Sequence, residues 1–397
     1  MDNEFSYSTR TTSSVVPTKK SINKKVGCGC SVIPIILLII LGYFFAYQLI
    51  FPSLFPKSIR GDLQGLVIFP SKEGKDKLWI QTDGSFSYIS ETKSPGSYSV
   101  GRKGLFCKTF SYVYDPLSKD VLNGFKTDLD YLPETPDIIY NDGKIWVVTN
   151  RGPASIHAYS SENYSEVVNN QSFSARVPEL SAGIEKIFVD RSLPVRYEVT
   201  ARDGRKVYYC IKDDKFFPDY TAMRKYYEKE DSSSSSIFML EREPNADKRK
   251  KLYYLWGPKG ALYFSSPRPE SIIQNKGRAD EKLNGKMLLP DKAFIDGELL
   301  YFDAEIAVII HQDNIGKNAN RMLTCVDKTG KELWTVGQDV LYDDIKATEK
   351  NAFSDMFFMK SKFDVQRSGN TVMFLFKPEG AIAFDLSSGK KLWEFDD

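Results

Sequence analysis

One stretch constrains this chain more than any other: Val32 to Phe51 (VIPIILLIILGYFFAYQLIF), 20 residues without a charge. At a rise of about 1.5 Å per residue, a helix of that length crosses the roughly 30 Å hydrocarbon core of a bilayer. Pro34 falls in the first turn, where a missing N–H costs little, and Tyr43 and Tyr47 suit the interface. A cleaved signal peptide would carry a shorter run closed by small residues, and QLIFPSLFP offers no such site. A lipoprotein's cysteine would follow the run, whereas Cys28 and Cys30 precede it. The reading is one uncleaved transmembrane helix over 32–51. Lys19, Lys20, Lys24 and Lys25 before the run outnumber Lys57 and Arg60 after it. The positive-inside rule therefore places the N-terminus in the cytoplasm and the C-terminal region in the periplasm or outside the cell.

Residues 1–31, rich in Ser, Thr and Lys, bury too little apolar surface to fold and read as a disordered cytoplasmic tail. The Cys28-Gly-Cys30 triplet could be acylated or bind a soft metal, and an isolated C-x-C is weak evidence for either. Beyond the membrane run the composition, 42% hydrophobic and 13% aromatic overall, supports a sizeable core. Lys+Arg 54 against Asp+Glu 52 gives no basic excess of the kind that binds nucleic acid. Cys107, Cys210 and Cys325 are too scattered for a disulfide framework, so the core must stabilise the fold.

From Gly61 to Asp397 the pattern is short apolar or alternating runs bounded by turn residues. KIWVVT (144–149), SIHAY (155–159), KVYYCI (206–211), TVMFLF (371–376) and AIAFD (381–385) read as strands. Asn141-Asp142-Gly143, Asp203-Gly204 and Asp296-Gly297 read as hairpin turns. Helices are expected at Tyr220–Asp231 and at Asp343–Lys350. Two segments repeat: Met322–Val336 (MLTCVDKTGKELWTV) and Ile382–Phe395 (IAFDLSSGKKLWEF). In each, a strand ends in Asp (Asp327, Asp385), a turn reaches Gly (Gly330, Gly389), and Trp follows four residues later (Trp334, Trp393). The Asp can cap the turn, and the Gly supplies a positive φ.

This pattern resembles the repeat of the quinoprotein-like (PQQ-like) β-propeller family. Weaker copies lie at 112–122, 156–167 and 208–217, with a sixth at Ala261–Ser265. Their anchors, Asp115, Ser160, Asp213, Ser265, Asp327 and Asp385, fall at intervals suited to four-stranded blades. A further blade is expected from Gly65–Ser90. The expected fold is thus all-β: a propeller of about seven blades (six or eight remain open) over 61–397, preceded by one transmembrane helix and the tail. The alternative, an array of two β-sandwich domains, would not give anchors at this spacing.

The resemblance raises a quinone-dependent enzyme, whose cofactor such proteins hold with adjacent cysteines, a stacking Trp and a Ca²⁺. No adjacent cysteine pair occurs in this region, and Trp79, Trp146, Trp256, Trp334 and Trp393 sit in strand-like runs suited to blade cores. His157 lies in an apolar strand; His311, Asp313 and Asn314 fall short of a metal-ligand set. The basic run Lys248–Lys251 sits among acidic residues and reads as a solvated loop. Asn163-Tyr-Ser and Asn170-Gln-Ser are glycosylation sequons if the domain is lumenal. Asp137, Asp142, Asp296 and Asp303 are too scattered to nominate as catalytic. No catalytic, cofactor-binding or metal residue is therefore assigned. The expectation is a membrane-anchored, non-catalytic binding or scaffold module with an envelope protein or glycan as partner. The alternatives are a diverged propeller enzyme, either a quinone-dependent oxidoreductase or a hydrolase, and a sensor signalling through the helix.

Overall fold

The computed structural model describes residues 41–42, 59, 61–83, 86–94, 97–130, 136–150, 154–229, 234–243, 246, 248–264, 269–273, 283–316, 319–337, 340, 363–376 and 380–396. The tail over 1–31 and the helix expected at 343–350 lie outside them, as does the membrane run except for Leu41 and Gly42, which are helical. Among the described residues no helix is long and apolar enough to cross a membrane. The described chain is all-β, built of several antiparallel sheets, an architecture consistent with a propeller-like fold.

Sheet I is β1 (Asp62–Pro70), β2 (Asp76–Asp83), β4 (Ser97–Asp115) and β5 (Asp120–Asp130), with β3 (Phe86–Ser94) paired to the first half of β4. Sheet II is β6 (Asp137–Asn141), β7 (Lys144–Thr149), β8 (Ser155–Ser160) and β9 (Glu166–Val168). Sheet III is β10 (Ile184–Asp190), β11 (Arg196–Ala201), β12 (Lys206–Cys210) and β13 (Lys215–Phe217). Sheet IV is β14 (Ser234–Arg242), β15 (Arg249–Pro258) and β16 (Asn284–Leu288). A bridge between Arg249–Lys250 and Phe294–Ile295 joins it to sheet V: β17 (Phe294–Phe302), β18 (Ile306–Gln312), β19 (Arg321–Asp327) and β20 (Glu332–Gly337). Sheet VI is β21 (Phe363–Ser368), β22 (Thr371–Phe376), β23 (Gly380–Asp385) and β24 (Lys391–Asp396).

The second strands explain how the sheets assemble. In TVMFLF all six residues are buried, because β22 is covered on both faces. Val372, Phe374 and Phe376 pack with Val308, Ile310, Leu323 and Cys325 of sheet V, while Met373 and Leu375 pack with Leu66, Ile68, Leu78 and Ile80 of sheet I. A strand buried twice reads as a continuous apolar run rather than an alternation. The same division recurs in β7, where Ile145 and Val147 meet sheet I and Trp146 and Val148 meet sheet III. In β18, Ala307 and Ile309 meet sheet IV, opposite the residues that meet sheet VI. Sheets III and IV are bridged differently. Cys210 and Phe217 pack on Met223 and Tyr227 of helix α1 (Tyr220–Lys229), and a helix over Lys259–Phe264 seats Leu262 against Ile237 and Leu255. Each sheet thus packs on the next, and the last on the first.

Several sequence expectations change here. Helix α1 matches the one expected from Tyr220. Gly65–Ser90 makes no sheet of its own: β1 and β2 join β4 in sheet I, the sheet whose turn carries Asp115. Among the described residues the strands therefore group into six units where about seven blades were expected. ALYF (261–264) is helical, not a strand, so that anchor has no counterpart in sheet IV. Asp296-Gly297 sits inside β17 at a register shift instead of turning a hairpin. Residues 249–251 of the basic run open β15, and the Lys250 and Lys251 ammoniums donate to the carbonyls of Gly297 and Pro290.

The repeated motif is a device for joining sheets. Asp327 Oδ1 accepts from the Thr329 and Lys331 N–H groups, and Asp385 Oδ1 accepts from those of Ser387 and Ser388. The Trp334 indole N–H crosses to the Leu386 carbonyl of sheet VI at 2.9 Å. Gly389, at φ +65°, lies so close beneath this ring that an added Cβ would sit 2.7 Å from the Trp334 Cγ. Gly389 and Trp334 therefore belong together across a junction, not within one hairpin.

Candidate functional site

The first strands β1, β6 and β21 each pair on one side only, which leaves an open edge. These edges approach one another: β1 touches both β6 and β21, and β21 touches β17. A polar cluster collects where they meet. Asp137 opens β6 and is 11% exposed; its Oδ2 accepts from the Tyr197 hydroxyl of β11 at 2.5 Å, and its Oδ1 from the Arg191 guanidinium just after β10. Asp364 near the start of β21 accepts from the Gln366 amide at 3.0 Å, and Gln366 also donates to the Leu66 carbonyl and accepts from the Ile68 N–H of β1. Asp303, following β17, accepts from Arg367 at 2.7 Å and from the Tyr301 hydroxyl at 3.1 Å.

Arg191 is the informative member. Its side chain is 65% exposed, yet it is surrounded by charges from two separate sheets. Burial alone would lower its affinity for the proton; Asp137 of sheet II and Asp364 of sheet VI more than offset that. The Arg191 guanidinium is therefore open to solvent while paired with Asp137. The tyrosines of the cluster are donors: burial, reinforced by Asp137, holds the Tyr197 phenol far above its usual range, and burial with Asp303 raises that of Tyr301. Both stay protonated at neutral pH. The arrangement can present fixed N–H and O–H donors beside carboxylate acceptors, which suits recognition of a polar group.

Of the scattered acidic residues, the structure brings Asp137 and Asp303 into this cluster. Asp142 stays in the β6–β7 turn with positive φ, and Asp296 pairs with Lys248 at 3.3 Å. Arg191, Tyr197, Asp364 and Arg367 were missed by sequence reasoning. A signal existed: Asp137 and Asp364 stand alike near the start of a first strand, shortly before the hairpin glycines Gly143 and Gly369.

The remaining candidates lie elsewhere. His311 is buried; its Nδ1 donates to the Gln312 carbonyl and its Nε2 accepts from the Thr324 hydroxyl. Burial lowers its pKa, so the ring is neutral at pH 7. Asp313 instead receives the N–H and amide of Asn320. His157 pairs with Glu166 across β8 and β9. Trp79, Trp146, Trp334 and Trp393 are buried and Trp256 is half-buried. Burial pushes the Cys210 thiol up to about 11 and that of Cys325 up to about 12. Cys28 and Cys30 lie outside the described residues, as does the Cys107 side chain.

No protein-family model matches the chain. No curated protein matches it either. Solved structures similar to it include an uncharacterized protein of Listeria monocytogenes EGD-e, at 9% identity over 86% of this chain and 88% of that one, with a TM-score of 0.31. The WD40 domain of SCAP from fission yeast has 9% identity over 81% and 84%, with a TM-score of 0.23. The computationally designed Ika8 protein has 14% identity over 77% and 73%, with a TM-score of 0.21. These likenesses are slight, and the fold rests on the sheets and their packing.

Proposed function

We propose that the chain is a membrane-anchored, extracytoplasmic β-propeller of six blades, diverged from the quinoprotein-like type, that binds a partner without catalysing a reaction. Two features support the propeller: the second strands β7, β18 and β22, buried on both faces, and the packing of sheet VI on sheet I. The uncharged run 32–51 supports the anchor, and the lysines before it support a cytoplasmic N-terminus with the blades in the periplasm or outside the cell. The partner is an envelope protein or glycan that presents polar groups to the space between the first strands.

The observation that carries the binding role is Arg191, exposed while fixed by Asp137 and lying within the field of Asp364. A guanidinium so placed keeps donors free for an incoming carboxylate or hydroxyl at little ordering cost. The test is mild crosslinking in the native membrane, affinity purification of the full chain, and mass spectrometry, comparing wild type with Arg191→Ala. One envelope component recovered near stoichiometrically with wild type and depleted at least tenfold with the variant supports the reading. Equal recovery with both, or recovery of the chain alone, contradicts it.

A further inference from the structure

A second site lies away from the polar cluster, between sheets II and III. The connection from β9 to β10 folds over the start of β8 and the end of β11, forming a cleft of about 740 Å³ that opens to solvent. That volume falls within the range typical of small-molecule pockets. Its walls are fixed. Asn170 accepts from the Ile156 N–H at 2.7 Å and donates to the Ala154 carbonyl at 3.2 Å, and Leu180 is fully buried. The Arg202 N–H donates to the Gly183 carbonyl at 3.0 Å, and the Arg202 side chain lies along Gly183.

The chemistry of the lining is one-sided. Val177 and Pro178 supply an apolar surface over the buried Leu180 and Ile184, and the charged groups are Arg176 and Arg202, with no Asp or Glu among the lining residues. Arg176 is occupied: it bonds Asp214 at 2.6 Å and stacks over the Phe216 ring. Arg202 is exposed and, among the described residues, forms no ion pair, while its neighbour Arg205 is held by Asp203. An unpaired guanidinium above an apolar floor, without a competing carboxylate, favours an anion that carries a hydrophobic body.

We propose that this cavity binds a small amphipathic organic anion, a carboxylate, sulfonate or phosphate ester with an aromatic or acyl portion, anchored by Arg202. The site is independent of the polar cluster around Arg191, and neither proposal requires the other.

The test is isothermal titration of the detergent-solubilised full chain with naphthalene-2-sulfonate and with its neutral counterpart naphthalene-2-methanol. The expected result is one-to-one binding of the sulfonate, at least tenfold tighter than the alcohol. Arg202→Ala should remove that preference, and Arg202→Lys should restore part of it. Gln171→Trp, placed in the lining, should abolish binding of both probes and keeps the test decisive if Arg202→Ala folds poorly. Equal affinities for the two probes in wild type, sulfonate binding unchanged by Arg202→Ala or by Gln171→Trp, or no binding at all would overturn the proposal.

Discussion

The junction of sheets V and VI and the junction of sheets VI and I use the same strand pattern but are held by different means. At the first, Trp334 inserts its ring over Gly389 and donates to the Leu386 carbonyl. At the second, Trp393 packs among Leu66, Tyr112 and Phe395, and its buried indole N–H has no hydrogen-bond partner among the described residues. The turn that Trp393 would engage carries Lys119 where sheet VI has Gly389, each four residues after its Asp. Lys119 nonetheless adopts φ +59°, close to the +65° of the glycine. The closing junction instead relies on Gln366, which bonds both the Leu66 carbonyl and the Ile68 N–H, and on the Thr371 hydroxyl bonded to Asp76. A motif conceived as a local hairpin is therefore a clasp between neighbours. Where the neighbour lacks the glycine, polar contacts between distant parts of the chain replace it.

The largest effect should come from the rings. Trp334→Ala should cost about 3–5 kcal/mol, since it removes a buried aromatic and its hydrogen bond. Trp393→Ala should cost about 1 kcal/mol less, because no hydrogen bond is lost. Urea unfolding of both variants compares them, and a larger loss at Trp393 would erase the distinction between the junctions. Gly389→Ala comes next, at about 1–3 kcal/mol: its methyl meets the Trp334 ring and its φ is left-handed. Combined with Trp334→Ala it should lose most of that cost, as the clash disappears. Gln366→Ala should cost about 1–3 kcal/mol by leaving two backbone groups of β1 unpaired, and should do so through the closing junction alone.

A smaller effect should appear in acid. The Ser387 and Ser388 hydroxyls and N–H groups hold the Asp385 carboxyl below its usual range. For Asp327, burial acts in the opposite direction but is outweighed by the Thr329 hydroxyl and the Lys331 and Thr329 N–H groups. A folded pKa below the unfolded value means stabilisation that is fully present above about pH 4 and lost as pH falls through the folded value. Asp385→Asn should therefore lower stability at neutral pH and flatten the acid limb of a thermal-melt series; an unchanged limb would show that the turn contributes nothing. The smallest change is Lys119→Gly, which should stabilise the chain by about 1 kcal/mol by relieving a left-handed lysine.

How much of this was legible follows from the same residues. Runs such as TVMFLF and KIWVVT announced strands because burial on both faces demands continuous apolar side chains. The Asp caps were visible because a turn closed by a side chain needs that residue at a fixed offset. What Trp334 contacts was not visible, since its partner lies 52 residues away in another sheet. Gly65–Ser90 reads as a blade of its own, yet its strands join the long β4 in sheet I. ALYF read as a strand by composition, yet it packs through Leu262 as a helix: tertiary contact overrode propensity. The polar cluster was the least readable feature, because Asp137, Arg191 and Asp364 meet only once the first strands converge.

The central claim is that sheet VI packs on sheet I. Asp76 and Thr371 touch although they are 295 residues apart. Replacing both with cysteine in the full chain and adding a short bis-maleimide, followed by mass spectrometry of the monomer, measures that contact directly. The account predicts efficient crosslinking within one molecule, reduced when Gln366→Ala loosens the junction. Absence of the crosslink, or its appearance only between molecules, would contradict the packing of sheet VI on sheet I.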